Sequence, residues 1–155
     1  MSKTARDIMT RNVIIVDENT AINDLIEIFL EHKISCVPVV NKEKKLVGIV
    51  TKTDVLSHLL DIDLDVSLKV HLKDIVESIP EHGDIDISTE TDLNAVNIMT
   101  PNPITASENT SIESLAKIMI DHNIHRLIIE KDSAIVGIIS TLDILYHVAG
   151  VNKNG

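Results

Sequence analysis

Two four-residue segments carry the side chains best suited to hold a polar ligand: Thr51-Lys52-Thr53-Asp54 and Ser140-Thr141-Leu142-Asp143. Each follows a glycine within a branched aliphatic run, Val47-Gly48-Ile49-Val50 or Val136-Gly137-Ile138-Ile139, and each opens a helical pattern. A carboxylate only accepts hydrogen bonds and has two oxygens, which suits the paired hydroxyls of a ribose. The hydroxyl three residues earlier stands at a helix N-terminus, where free N–H groups and the dipole favour an anion such as phosphate. The same spacing is close to a capping box, which stabilises a helix start with no ligand at all. On these residues alone both readings stand.

His125-Arg126 is the second signal. Arg126 leads into Leu127-Ile128-Ile129, and a permanent cation at the mouth of a buried strand needs a partner. A phosphate fits a guanidinium through two parallel hydrogen bonds, and an ion pair with one of the 24 acidic residues serves equally. Other chemistry finds little support. Cys36 is the single cysteine, so an intrachain disulfide and a cysteine zinc cluster are excluded. His32 and His122 fall at helix ends, where the dipole suits a partial positive charge, and no histidine pair has metal-site spacing. There is no Gly-rich phosphate loop, nucleophile elbow or hydrolase signature. The expectation is no catalytic residue, no metal and no required cofactor.

The elements that position these residues occur twice, about ninety residues apart. Ile8-Met9-Thr10-Arg11-Asn12 returns as Ile98-Met99-Thr100-Pro101-Asn102, and Glu18-Asn19-Thr20 as Glu108-Asn109-Thr110. Ile22, Leu25 and Ile28 match Ile112, Leu115 and Ile118, and after a one-residue deletion Asp54 matches Asp143. An internal repeat of this length governs any choice of fold. Each copy reads as a short leading helix (4–9; 92–99), an extended piece (13–16; 103–106), a helix announced by Asn-Thr, and a hairpin. The hairpins pair 36–40 with 46–50 and 126–130 with 135–139, and a final helix starts at Thr51 or Ser140. Between the copies, Leu68, Leu72, Ile75 and Ile79 share one helical face, ended by Pro80 and Gly83 and followed by an acidic loop.

Composition limits the partners. The 155 residues carry a formal charge of −10 and are 44% apolar but only 1% aromatic, which argues against binding a polyphosphate backbone or stacked bases. No apolar run approaches the length of a membrane span, and Met1 to Thr10 does not resemble a signal peptide, so a cytoplasmic protein is expected.

The tandem β-α-β-β-α unit, with Asp-Ile-Met-Thr or Asn-Ile-Met-Thr at its head and Val-Gly-Ile-Val-Thr-x-x-Asp or Val-Gly-Ile-Ile-Ser-x-x-Asp at its tail, resembles a pair of cystathionine-β-synthase-type (CBS) domains. The likeness implies a mixed α/β fold with two repeats packed sheet to sheet about a pseudo-twofold axis, leaving two clefts. It divides the chain into repeat 1 (1–60), an inter-repeat helix and loop (61–91), repeat 2 (92–150) and a tail (151–155). It also implies a homodimer, and adenine nucleotide (AMP, ADP or ATP) as the regulatory ligand. On this likeness Asp143 takes the ribose, while Ser140, His125 and Arg126 take phosphate and Thr10 assists. In the other cleft Asp54 and Thr51 act with Thr100. Ser35 and Cys36 stand where copy two has His125 and Arg126, so the clefts should be unequal. The backbone around Pro38 brackets an adenine ring on the same likeness, whereas copy two has Ile128 there. Ile49 and Ile138 either sandwich a purine or belong to the core. The function implied is a non-enzymatic regulatory module signalling to an unknown protein. The alternatives are an S-adenosylmethionine-binding pair, or a dimerisation module with vestigial clefts.

Overall fold

The computed structural model describes residues 3–59 and 93–153, so the expected helix and acidic loop of 61–91 lie outside the described residues. The elements are α1 (Ala5–Ile8), β1 (Val16–Asp17), α2 (Ile22–His32), β2 (Cys36–Val40), β3 (Leu46–Thr51), α3 (Lys52–Leu59), α4 (Ala95–Ile98), β4 (Thr100–Pro101), β5 (Thr105–Ser107), α5 (Ile112–Asp121), β6 (Arg126–Lys131), β7 (Ala134–Ser140) and α6 (Thr141–Ala149). The architecture is mixed α/β, with a four-stranded sheet ordered β1-β2-β3-β4 and a three-stranded sheet ordered β5-β6-β7.

The two compact units do not follow the two sequence copies. One unit comprises Met1–Ile14 with Asn102–Gly155, and the other Ile15–Pro101. Each leading segment therefore packs on the body of the other copy. In the first unit Ala5 N–H donates to Thr110 O (2.9 Å) and Arg6 N–H to Glu108 O (3.0 Å), and Thr10 and Ile138 exchange a pair of 3.0 Å backbone bonds. In the second unit the matching bonds run from Ala95 N–H to Thr20 O (2.8 Å) and Val96 N–H to Glu18 O (2.9 Å), and Thr100 pairs with Ile49. The close approach explains two glycines. A Cβ on Gly137 would collide with the Met9 side chain, and one on Gly48 with that of Met99.

Within the first unit, Ile112, Leu115 and Met119 of α5 pack with Ala5, Met9, Leu127, Ile129, Ile139 and Ile144 in one buried cluster. Each buried Ile, Leu or Met side chain here contributes roughly 1.5–3 kcal/mol by burial. In α2 the matching buried positions are Ile22, Leu25 and Phe29, whereas Leu30 points outward and is exposed. Both helices end with a left-handed residue, Lys33 (φ 53°) and Asn123 (φ 50°). The β6–β7 turn places Asp132 (φ 50°) and Ser133 (φ 64°) between paired Lys131 and Ala134, a two-residue turn whose twist suits a hairpin. Copy one has one residue more, and Asn41 Oδ1 closes its loop by accepting the N–H groups of Glu43 and Lys45 at 3.0 Å.

Three local expectations shift. The first strands begin later than expected, at Val16 and Thr105. Asn-Thr is a turn rather than a cap: the Asp17 carboxylate accepts Asn19 N–H (3.0 Å) and Thr20 N–H reaches Asp17 O (2.9 Å). The helix caps are Ala21, which offers no side-chain bond, and Ser111, whose hydroxyl accepts Ser114 N–H at 3.2 Å.

Candidate functional site

Antiparallel pairing places Arg126 opposite Ser140 and Ile128 opposite Ile138. Directly opposed residues and their i+2 neighbours share a sheet face, so these four lie together on one face of β6–β7. Leu127, Ile129 and Ile139 occupy the other face and belong to the core cluster. The same register in the second unit sets Cys36 opposite Thr51 and Pro38 opposite Ile49. Ile128 and Pro38 are fully buried, whereas Ile138 and Ile49 are only partly so. β1 pairs with β2 only at Val39 and Val40, so β2 around Pro38 has no ladder on that side, which suits a residue lacking an N–H.

The step from strand to helix is clasped identically in both units. Thr141 N–H donates to His125 O and Lys52 N–H to Ser35 O, both at 3.0 Å, tying the residue before one strand to the helix after the next. Ser140 N–H and Oγ–H donate to Asp143 Oδ2 at 2.7 and 2.8 Å, and Asp143 N–H returns to Ser140 Oγ at 3.3 Å. Thr51 and Asp54 repeat this at 2.7, 2.9 and 3.2 Å. The capping box therefore exists, and it uses one oxygen of each carboxylate. Both hydroxyls are engaged in the helix start, each donating its proton to the aspartate three residues on. Oδ1 stays outside the cap and is the oxygen with which either aspartate can hold a ligand hydroxyl.

Around that oxygen the units differ. Asp143 is buried at 5% exposure, and Lys153 Nζ lies 2.5 Å from its Oδ1 and 2.7 Å from Thr10 Oγ1. Asp54 is only partly buried, and among the described residues its side chain bonds only to Thr51. The structure thus brings Thr10, Ile138, Ser140 and Asp143 together, with Arg126 opposite Ser140 and the exposed His125 beside it. It groups Thr100, Ile49, Thr51 and Asp54 likewise, with Cys36 and Ser35 in the matching places. Sequence reasoning missed Lys153, because nothing in a polar tail marks one lysine as the partner of a buried acid.

A second charged group in the first unit lies apart from this cluster. Glu108 is buried, and Arg6 grips its carboxylate through Nη2 (2.6 Å) and Nε (3.3 Å) while Lys131 Nζ lies 3.1 Å away. Hydrogen bonding to Arg6, then to Lys131, holds the Glu108 carboxyl below the usual carboxylate range. An open polar depression of about 390 Å³ borders it, lined by Thr105, Ser107, Glu130 and Asp132 among others. Its one buried acid is already saturated by two cations, so this region is a structural clasp. Among the described residues no group of three or more His, Cys, Asp or Glu side chains is arranged for a metal, and no helix is long and apolar enough to cross a membrane.

Comparison with known proteins returns the same architecture. The sequence profile of the CBS domain matches residues 5–61 and 95–150. An uncharacterized protein of Methanocaldococcus jannaschii, MJ1426, is 30% identical over 154 residues, covering 90% of this chain and 88% of its own. The CBS domain pair of protein MJ0100, solved in complex with 5'-methylthioadenosine and S-adenosyl-L-methionine, superposes with a TM-score of 0.70 at 24% identity, covering 97% of this chain and 98% of that one. Arabidopsis thaliana CBSX2 in complex with AMP superposes with a TM-score of 0.68 at 21% identity, covering 96% and 97%. At these identities the structural likeness shows the fold.

Proposed function

Because this chain belongs to the CBS domain family and carries the domain twice, we propose that it is a non-enzymatic regulatory module that binds an adenosine-containing ligand, AMP, ADP or ATP, in each unit. The observation that carries this reading is the repeated helix start, in which a carboxylate caps with one oxygen and keeps the other outside the cap. Asp143 Oδ1 accepts a ribose hydroxyl, Thr10 contributes a second polar contact, and the partly buried Ile138 offers an apolar contact to the purine. Arg126, opposite Ser140 at the mouth of α6, supplies the fixed cation for phosphate together with His125. The second unit offers Asp54, Thr51, Thr100, Ile49 and Pro38 for the same parts, with Ser35 and Cys36 carrying no cation.

The ligands named for CBSX2 and MJ0100 support an adenosine moiety, and the second of them keeps S-adenosylmethionine as the competing ligand. Arg126 favours a phosphate over a sulfonium, since guanidinium and sulfonium are both cations. Signalling follows from linkage: a ligand that prefers one arrangement of the module shifts it by its differential affinity, typically ~1–3 kcal/mol, and an unidentified regulated protein senses the shift. Exposed Leu142, Leu145 and Val148 on α6, with Leu30 and Ile120, support the homodimer, which sedimentation equilibrium checks directly. A cytoplasmic location is part of the same proposal.

Calorimetric titration of AMP, ADP, ATP and S-adenosylmethionine into wild type, Asp54→Ala and Asp143→Ala tests the reading. The expected result is a tighter site for the nucleotides that loses at least about tenfold in affinity in Asp143→Ala, the scale of a hydrogen bond to a charged group. Unaltered binding in a folded Asp143→Ala protein, or in Asp143→Asn should the alanine variant melt, refutes the assignment. Silence toward every ligand favours the dimerisation module instead.

A further inference from the structure

Lys153 lies beyond the end of α6. Gly150 takes the left-handed conformation (φ 67°), its N–H bonding His147 O and the Val151 N–H bonding Tyr146 O, both at 3.1 Å. This paired closure ends a helix and reverses the chain. The lysine so returned meets the first turn of its own helix, at Asp143 Oδ1, and the hydroxyl of Thr10. It therefore holds the one Asp143 oxygen that the capping box leaves over, and it offers what a ribose diol would offer, several donors on one small head.

We propose that Lys153 is a built-in competitor for the ribose subsite of the Asp143 unit, displaced when ligand binds; this rests on reading Asp143 as the ribose carboxylate. A buried carboxylate without a counter-charge is costly, so the free chain gains from keeping an ammonium there. The Lys153 side chain is 48% exposed, so it passes into water with little loss when a ligand takes its place. Occupancy of this subsite is thereby coupled to release of the C-terminal tail. Among the described residues Asp54 has no such lysine, so the competition is proposed for the Asp143 unit alone.

The test titrates adenosine and AMP into the full chain in an Asp54→Ala background, which leaves the Asp143 unit as the responding site, and repeats it with Lys153→Ala, Lys153→Arg and Asp143→Asn added. Lys153→Ala should bind both compounds at least about threefold tighter, the scale of a half-exposed ion pair, and Lys153→Arg should behave as its parent. Added NaCl should strengthen adenosine binding to the parent and leave Lys153→Ala unmoved, because salt screens the resident pair. Unchanged or weaker affinity in Lys153→Ala, with binding still lost in Asp143→Asn, overturns the competitor and leaves the ribose reading intact. Absence of binding in both the parent and Lys153→Ala overturns the two together.

Discussion

Asp143 and Asp54 open equivalent helices with the same hydroxyl–carboxylate clasp, yet one is buried beside a lysine and the other is half-open and, among the described residues, bonded only to its own threonine. Equivalent strands begin with Arg126 in one unit and Cys36 in the other. Glu108 is gripped by Arg6 and Lys131, while the matching Glu18 meets Val96, the residue that replaces Arg6 in the exchanged leading segment. The pattern is consistent. What the units share is set by backbone geometry: register, glycine beneath methionine, and the helix start. Where they differ, the long-range ion pairs found among the described residues lie in one unit, and that unit is the candidate phosphate site.

Substitutions that move charge across this difference should have the largest effect. Arg126→Ala should weaken AMP at least about tenfold, as expected for a hydrogen bond between charged groups, and leave adenosine nearly unchanged. Cys36→Arg should raise AMP affinity in the Asp54 unit, and calorimetry that finds no gain there breaks the link between Arg126 and phosphate. Next comes a prediction of sameness. Gly137→Ala and Gly48→Ala should each cost about 1–3 kcal/mol in urea unfolding, because each pushes a methionine off its sheet, and a marked inequality would show that the two leading segments are not held alike.

Glu108→Gln should lower the melting temperature at neutral pH, whereas Glu18→Gln should do so less. The sign with pH follows from the depressed Glu108 carboxyl: its contribution is complete above its ordinary value of 4.5 and fades as pH falls through the lower folded value. Wild type and Glu108→Gln melting curves should therefore converge in acid, and a difference that persists there removes the ion pair as its cause. The smallest expected effect is at the helix caps. Ala21 has almost the backbone angles of Ser111, so Ala21→Ser should stabilise by roughly 0.5–1 kcal/mol and Ser111→Ala should cost a similar amount.

The hairpins were legible to within a residue or two because branched aliphatic runs between polar loops have few other uses, as at 36–40 and 126–130. The aspartate, hydroxyl and β-strand residues of the candidate site were legible because they are local and repeated. Three things were not. Asn19 and Asn109 looked like helix starts, but the Asp17 carboxylate draws Asn19 into a tight turn, and that competition between neighbouring side chains leaves no periodic trace. The exchange of leading segments was legible only through the family resemblance, which set Thr10 with Asp143 and Thr100 with Asp54, because both copies present nearly the same Ile-Met-Thr, which by itself fits either body. Lys153 and the Glu108 clasp were hidden because their partners are distant in sequence, and a single surface cation carries no pattern.

The exchanged leading segments also bear on how such a chain can be divided. Each unit takes its threonine, Thr10 or Thr100, from the opposite copy, so a fragment holding one copy lacks a sheet edge and a candidate site residue that only the other fragment supplies. Neither half is a smaller version of the whole. A gene cut between the copies should give fragments that recover structure by reassociating, as swapped elements do between subunits. By the same logic, an unduplicated ancestor would have built its sites only as a pair of chains, and duplication would have made that partnership covalent.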